Sequence, residues 1–132
     1  MSGQTAFDTQ VAGDHYKKMK VQPQHFAMVN GWDSGAFSIL KYVSRHRSKR
    51  GREDLEKGLH FVALRDADIA HATPPRNLIP MSEYIAENGI EGEDRQALVY
   101  LEWWVQTGTE HWRDHLRTSI GLLIEGYALS HP

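Results

Sequence analysis

The chain contains no cysteine among its 132 residues, which excludes disulfide bonds and thiolate metal sites. It also lacks a long apolar run and an N-terminal signal segment, so we expect a cytoplasmic protein that does not enter a membrane. Regular alternation of apolar and polar residues is missing as well, which favours helices over strands. The sequence therefore predicts an all-α fold, a compact helical domain.

Net positive charge is absent too, because 15 lysines and arginines stand against 17 aspartates and glutamates, for a net charge of −2. This balance argues against a general DNA-binding protein, whose affinity comes mostly from accumulated positive charge. The charge is unevenly spread, since residues 81 to 110 carry seven acids and only Arg95 as a base. Such a split suits steering of a charged ligand, self-association or a charged partner.

Length and an apolar content of 40% predict a single domain. We expect residues 1–10 to be a disordered tail and residues 11–132 to form one all-α domain. That domain divides into a basic half (11–71), a linker with three prolines (72–80) and an acidic helical half (81–132). Both halves have the order of a short helix, an Asn-Gly stop and two amphipathic helices, which predicts a pseudo-repeat of two three-helix units.

Capping and turn residues define the expected helix ends. The helices should begin at Pro23, after Asp33 or Ser34, at about Arg52, at Ser82, at Glu93 and after Thr109. They should stop at Asn30-Gly31, in a basic turn, near His71, at Asn88-Gly89 and at Gly108. Asp66 lies at the margin of the apolar face of the third helix, so it needs a partner, which could be an arginine of the basic turn or a metal; we favour an ordinary structural salt bridge.

The basic turn runs from Lys41 to Arg52 and contains six lysines or arginines, one histidine and no acid. Gly51 interrupts the helical pattern, and the backbone N–H groups from Glu53 to Leu55 begin the next helix without partners inside it. Cations beside such N–H groups predict an anion site, and guanidinium groups suit phosphate. A basic turn that is simply solvated is the alternative.

Four short motifs in the first half of the chain have a distinctive order and spacing. They are His15-Tyr16, Gln22-Pro23 leading into His25-Phe26, Lys41-Tyr42-Val43-x-Arg45 and Lys49-x-Gly51-x-x-Asp54-Leu55-x-Lys57. Together they resemble, over about residues 11–64, a family of small tailed-phage proteins that is often labelled nucleotide kinase-like. The label comes from a phage member that phosphorylates deoxynucleoside monophosphates without a Walker phosphate-binding motif. The family usually has an acidic residue after the Gln-Pro helix start, where this chain has Gln24 and His25. It usually has a small residue such as alanine at the position of Gly58.

This resemblance implies a phage-encoded nucleotide- or phosphate-binding protein of the infected bacterial cell, with deoxynucleoside monophosphate kinase-like activity. We assign the phosphate or nucleotide site to Lys41, Tyr42, Arg45, Lys49, Arg52, Asp54, His15 and Tyr16. Magnesium is expected with the nucleotide, held through water by Asp54. Asp54 has a second interpretation as a favourable charge in the first helical turn, and Tyr42 has one as a core residue.

The common glycine-rich phosphate loops are absent, because neither Gly-x-x-x-x-Gly-Lys-Ser/Thr nor Gly-x-Gly-x-x-Gly occurs in the sequence. A site for phosphoryl transfer would therefore be assembled from helix faces, and the subunit interface of a homo-oligomer is one place where such faces meet. His111 and His115 are four residues apart on one helix face, but no third ligand accompanies them. We assign no metal site.

Three of the four tryptophans, Trp103, Trp104 and Trp112, lie within ten residues. Neighbours on a helix point about 100° apart, so one of the adjacent pair must face away from the core. The cluster predicts a partner-binding surface, with a dimer interface or a contact with the other half as alternatives. It motivates a second functional hypothesis, a non-enzymatic host-takeover or anti-defence protein that binds a host protein or sequesters a signalling nucleotide.

Overall fold

The computed structural model describes residues 19–130, and this part of the chain forms six α-helices and no strand. The helices are α1 (Pro23–Asn30), α2 (Ser34–Arg45), α3 (Arg52–Ala67), α4 (Met81–Glu87), α5 (Gly92–Thr107) and α6 (Glu110–Ser130), with a 3-10 turn (Ile69–His71) after α3. The all-α prediction is confirmed. Between residues 19 and 130, none of the helices combines the length and the apolar character that crossing a bilayer requires.

The predicted capping residues define most of the helix ends. Gly31 ends α1 in the left-handed conformation, with φ of 67°. Asp33 caps α2, because its carboxylate accepts a hydrogen bond of 2.8 Å from the backbone N–H of Ala36. The predicted end of α3 near His71 was wrong, since the α-helix stops at Ala67. Local hydrogen bonding competes with the helix beyond that point and favours the tighter 3-10 turn.

Two long-helix hairpins, α2–α3 and α5–α6, pack against each other through α3–α6 and α2–α5 contacts. Every helix contributes to the shared core, which includes Phe26, Leu40, Val62, Tyr84, Leu101 and Leu116. The predicted linker, residues 72–80, has no helix and is fixed to α1 by a buried side chain. Asn30 donates to the carbonyl of Ile79 at 2.8 Å and accepts from the backbone N–H of Leu78 at 2.8 Å. Both halves have the short-long-long helix order, and the pseudo-repeat itself stays a prediction.

Asp66 has an arginine partner, as expected for a partly buried carboxylate, but the arginine is not in the basic turn. Nη1 of Arg113 in α6 lies 3.0 Å from each carboxylate oxygen of Asp66. The predicted partner element was wrong because Asp66 lies in the last turn of α3, at the end opposite the basic turn. About twenty ångströms of helix separate it from Arg52, at about 1.5 Å per residue.

Candidate phosphate site at the α2–α3 turn

Residues 46–51 connect α2 to α3 through a tightly bonded turn. The backbone N–H of Gly51 donates to the carbonyl of His46 at 2.8 Å, and that of Ser48 donates to Arg45 at 3.0 Å. Gly51 has φ of +56°, and a Cβ at this position would lie 3.1 Å from Cε1 of Tyr127. Glycine is therefore required both by the backbone conformation and by the close approach of the tyrosine ring.

Asp54 holds this turn together from the inside. Its side chain is fully buried, with one oxygen 3.3 Å from Nη2 of Arg45 and the other accepting from the backbone N–H of Arg50 at 3.0 Å. Two predicted site residues, Arg45 and Asp54, thus pair with each other. The carboxylate is 0% exposed and bonded inside the turn, so it does not lie at the surface, where a nucleotide was expected to bring magnesium.

The first turn of α3 is less open to an anion than its sequence indicates. The backbone N–H of Glu53 donates to the carbonyl of Arg50 at 3.2 Å, and that of Leu55 donates to Gly51 at 3.3 Å. Two of the N–H groups expected to bind phosphate are therefore already used by the chain. Side chains, rather than the helix end, supply the positive charge available to a ligand.

His46 lies at the centre of a buried polar network that joins three helices. It is 1% exposed, and its Nδ1 lies 2.7 Å from the hydroxyl of Tyr127 in α6, while its Nε2 lies 3.0 Å from Asp94 in α5. Since Nε2 faces a carboxylate, we assign the ring proton to Nε2, and Nδ1 then accepts from the tyrosine hydroxyl. The network ties the end of α2 to the second half of the chain.

Arg47 completes this network at the surface. Its Nε lies 2.6 Å and its Nη2 3.1 Å from the two oxygens of Asp94. Burial alone would raise the pKa of Asp94, but hydrogen bonds from His46 and Arg47 and the positive charge of Arg47 hold that pKa below its ordinary value. Burial raises the pKa of Tyr127, so its hydroxyl is protonated at neutral pH.

A groove of about 490 Å³ runs beside the turn, lined by His46, Arg47, Lys49, Arg50, Gly51, Arg52, Tyr127 and Ala128. Lys49 is exposed and forms no ion pair within residues 19–130. Among the described residues, Arg50 and Arg52 form ion pairs only with glutamates of the neighbouring helix surface, at 3.4 Å and 3.8 Å. Exposed pairs of this kind are weak, so these cations can turn toward an anion at little cost.

A second cationic surface, separate from the groove lining, surrounds Tyr42. Lys41, Arg45 and Lys57 lie 4.7 Å, 4.8 Å and 5.8 Å from the centre of its ring. Phe61 stacks on the same ring at 6.0 Å. The residues predicted to form one site are therefore divided. Lys41 and Tyr42 belong to this surface, which we call the Tyr42 face, and Lys49 and Arg52 belong to the groove.

Sequence reasoning missed four residues of the groove: His46, Arg47, Arg50 and Tyr127. The helical spacing from Val43 to His46 would have predicted that His46 is buried. For Tyr127, no sequence signal indicates a pairing with a residue 81 positions earlier. His15 and Tyr16 lie outside the described residues.

The tryptophan cluster forms a second candidate site on α5 and α6. Trp104 is 1% exposed and Trp103 is 47% exposed, which confirms that one of the adjacent pair faces away from the core. Trp112 stacks on Trp103 at 5.8 Å, and the rings of His111 and His115 lie 4.6 Å apart. In the described part of the chain, no group of three potential metal ligands occurs. We call this the aromatic surface.

Comparison of the chain with protein-family models, curated proteins and solved structures finds no match. The resemblance to the phage family therefore rests on the motifs between residues 15 and 57 alone. Function has to be inferred from the chemistry of the site, because a helical fold by itself is compatible with many activities.

Proposed function

We propose that the protein binds nucleotides through their phosphates in the groove beside the α2–α3 turn. The observation that carries this proposal is the convergence of four cationic side chains on one groove: Arg47, Lys49, Arg50 and Arg52. Three of them are arginines. The guanidinium groups of Arg50 and Arg52 can each donate two parallel hydrogen bonds to phosphate oxygens, whereas Arg47 is already bonded to both oxygens of Asp94 and adds positive charge. A polyphosphate is the anion that uses several such donors at once.

The charge in the groove is available because the structural ion pair of the turn lies elsewhere. Arg45 and Asp54 neutralise each other in the interior. Lys49 forms no ion pair among the described residues, and Arg50 has only an exposed partner at 3.4 Å. A phosphate that replaces such a surface partner gains a charge-assisted hydrogen bond without leaving a buried charge unpaired.

The enzymatic form of this proposal is a phage-encoded deoxynucleoside monophosphate kinase-like protein in the cytoplasm of an infected bacterium. Its support is the family resemblance together with the cationic groove. Phosphoryl transfer is governed by positioning and charge stabilisation, so a groove of arginines and lysine supplies the required type of residue. Magnesium would enter with the nucleotide, and a homo-oligomer would bring a second set of side chains to the acceptor.

The experiment is isothermal calorimetry of the full chain against nucleoside mono-, di- and triphosphates, with and without magnesium. We expect Lys49→Ala and Arg50→Ala each to weaken binding by about tenfold, because each removes one charge-assisted contact. Lys57→Ala, on the Tyr42 face, removes the same charge as Lys49→Ala and should leave the affinity unchanged. Equal losses in Lys49→Ala and Lys57→Ala would contradict binding in the groove, and a loss in Lys57→Ala alone would place the nucleotide at Tyr42.

The aromatic surface favours a second candidate, a non-enzymatic protein that binds a host protein. Trp103 is half exposed and stacked, so it can bury a large rigid area at low entropic cost. Absence of binding across the whole nucleotide panel would favour this candidate over the first. Binding of a signalling nucleotide without any phosphoryl transfer would favour sequestration in the groove.

A further inference from the structure

Asp94, His46 and Tyr127 form a series of carboxylate, imidazole and hydroxyl that ends at the groove. Asp94 lies 3.0 Å from Nε2 of His46, and Nδ1 of the same ring lies 2.7 Å from the hydroxyl oxygen of Tyr127. A hydroxyl within hydrogen-bond reach of a base that is oriented by a third group is the arrangement that activates hydroxyl nucleophiles. The three residues come from three different helices, α5, the end of α2 and α6.

The direction of the hydrogen bonds decides what Tyr127 can offer a ligand. Because Nε2 carries the ring proton, Nδ1 accepts from the hydroxyl, and the phenolic proton points toward His46. The longer contact of the hydroxyl, 3.4 Å to the carbonyl of His46, also directs the proton inward. The oxygen keeps its lone pairs in this arrangement, and Tyr127 lines the groove. A phosphate oxygen gains nothing from such a group, whereas an electrophilic phosphorus does.

We propose that Tyr127 is a nucleophile that accepts the γ-phosphoryl group of a nucleoside triphosphate bound in the groove. This inference rests on the proposed function, since the groove must first hold the triphosphate. The bond from Oη of Tyr127 to the γ-phosphorus forms while the bond from that phosphorus to the bridging oxygen breaks. The phenolic proton passes to Nδ1 of His46, Asp94 stabilises the resulting imidazolium, and the nucleoside diphosphate leaves with the bonding electron pair. The product is O-phosphotyrosine at residue 127.

The surroundings supply what this step needs. Arg47, Lys49 and Arg50 line the same groove as the hydroxyl and can stabilise charge on the transferred group and on the leaving diphosphate. Arg47 also bonds both oxygens of Asp94, which keeps the carboxylate ionised and oriented toward His46. Since the phenol is protonated at rest, it requires a base, and His46 is the base in contact with it.

The test is incubation of the full chain with magnesium and ATP or deoxynucleoside triphosphates, followed by mass spectrometry of the intact protein and its peptides. We expect one added phosphoryl group, stable to acid and located at Tyr127. Tyr127→Phe retains the ring and removes the nucleophile, so it should abolish labelling, and calorimetry measures the nucleotide binding of this variant separately. Tyr100→Phe, a tyrosine of α5 outside the groove, is the matched control and should be labelled normally.

The outcomes separate this inference from the proposed function. Nucleotide binding without any phosphorylated protein would overturn the nucleophile and leave binding intact. An acid-labile label on His46, or full labelling of Tyr127→Phe, would likewise overturn it. Absence of both binding and label would overturn the two proposals together. Thermal unfolding of Tyr127→Phe checks that loss of label does not reflect loss of the fold.

Discussion

The two ends of the α2–α3 hairpin contain the same type of ion pair, but only one end lies beside the candidate site. Each end pairs an aspartate at the start of one helix with an arginine at the end of the other, Asp33 with Arg65 and Asp54 with Arg45. Each arginine also lies over an aromatic ring, Trp104 for Arg65 at 4.5 Å and Tyr42 for Arg45 at 4.8 Å. Both pairs complement the helix dipoles.

The ends differ in how completely the charges are used. Arg65 donates from two nitrogens to Asp33, at 3.0 Å to 3.2 Å, and its side chain is 4% exposed. Arg45 donates once to Asp54, at 3.3 Å. The Asp33 end is a closed structural contact. The Asp54 end closes the turn, and the neighbouring cations line the groove. The same kind of aspartate–arginine pair therefore forms a structural contact at one end of the hairpin and lies beside a candidate binding site at the other.

The largest expected effect is that of Arg65→Leu at the Asp33 end. The change leaves a half-buried carboxylate unpaired and removes the stacking on Trp104, so we expect a loss of about 3 kcal/mol in the free energy of unfolding. Urea unfolding should show a lower midpoint with an unchanged slope. Nucleotide affinity of the folded variant should equal that of the unchanged protein. Arg117→Ala, an exposed arginine of α6, is the control, and an equal loss there would contradict a structural role for the Arg65 pair.

The intermediate effect is that of Asp54→Asn at the turn. Arg45 would lose its charged partner, and the bond to the backbone of Arg50 would weaken, at a cost of about 2 kcal/mol. Because the same carboxylate orders the segment that carries Lys49, we also expect weaker nucleotide binding. Calorimetry should measure it at a temperature below the midpoint of thermal unfolding of the variant. A loss of stability without any loss of affinity would mean that the turn does not order the groove.

The smallest effect is the pH dependence of stability. Burial alone would raise the pKa of both Asp33 and Asp94. Hydrogen bonds from Arg65 and Ala36 nevertheless lower the pKa of Asp33, and hydrogen bonds from His46 and Arg47 lower the pKa of Asp94. A carboxylate whose pKa in the folded state lies below its ordinary value of 3.8 stabilises the fold above pH 3.8 and loses this contribution as the pH falls through its folded-state pKa. Asp33→Asn and Asp94→Asn should each flatten the decline of stability in acid. An unchanged acid slope in both variants would contradict the two networks.

The helices of this protein were largely readable from local signals. The stop at Asn30-Gly31 and the cap at Asp33 follow from the backbone conformation of glycine and the hydrogen bonding of an aspartate, both of which act within a few residues. The end of α3 was misplaced because Asp68 and His71 bond to each other locally, and helical periodicity carries no information about that contact.

The candidate site was only half readable from the sequence. The basic run indicated where positive charge gathers, and Lys49 and Arg52 do line the groove. Periodicity could also have predicted the burial of His46, but not its partners. Nothing in the order of residues distinguishes Arg45, which is used inside the turn, from Lys49, which forms no ion pair among the described residues.

The sequence by itself determined the helices, their caps and the position of the basic turn, because these depend on contacts between residues close in the chain. Only the tertiary structure decided which charged side chains form ion pairs within the protein and which face the groove, since that depends on α5 and α6 packing against the turn. The series of Asp94, His46 and Tyr127 exists for the same reason: it joins residues 48 and 81 positions apart, and such contacts are defined only when the helices pack.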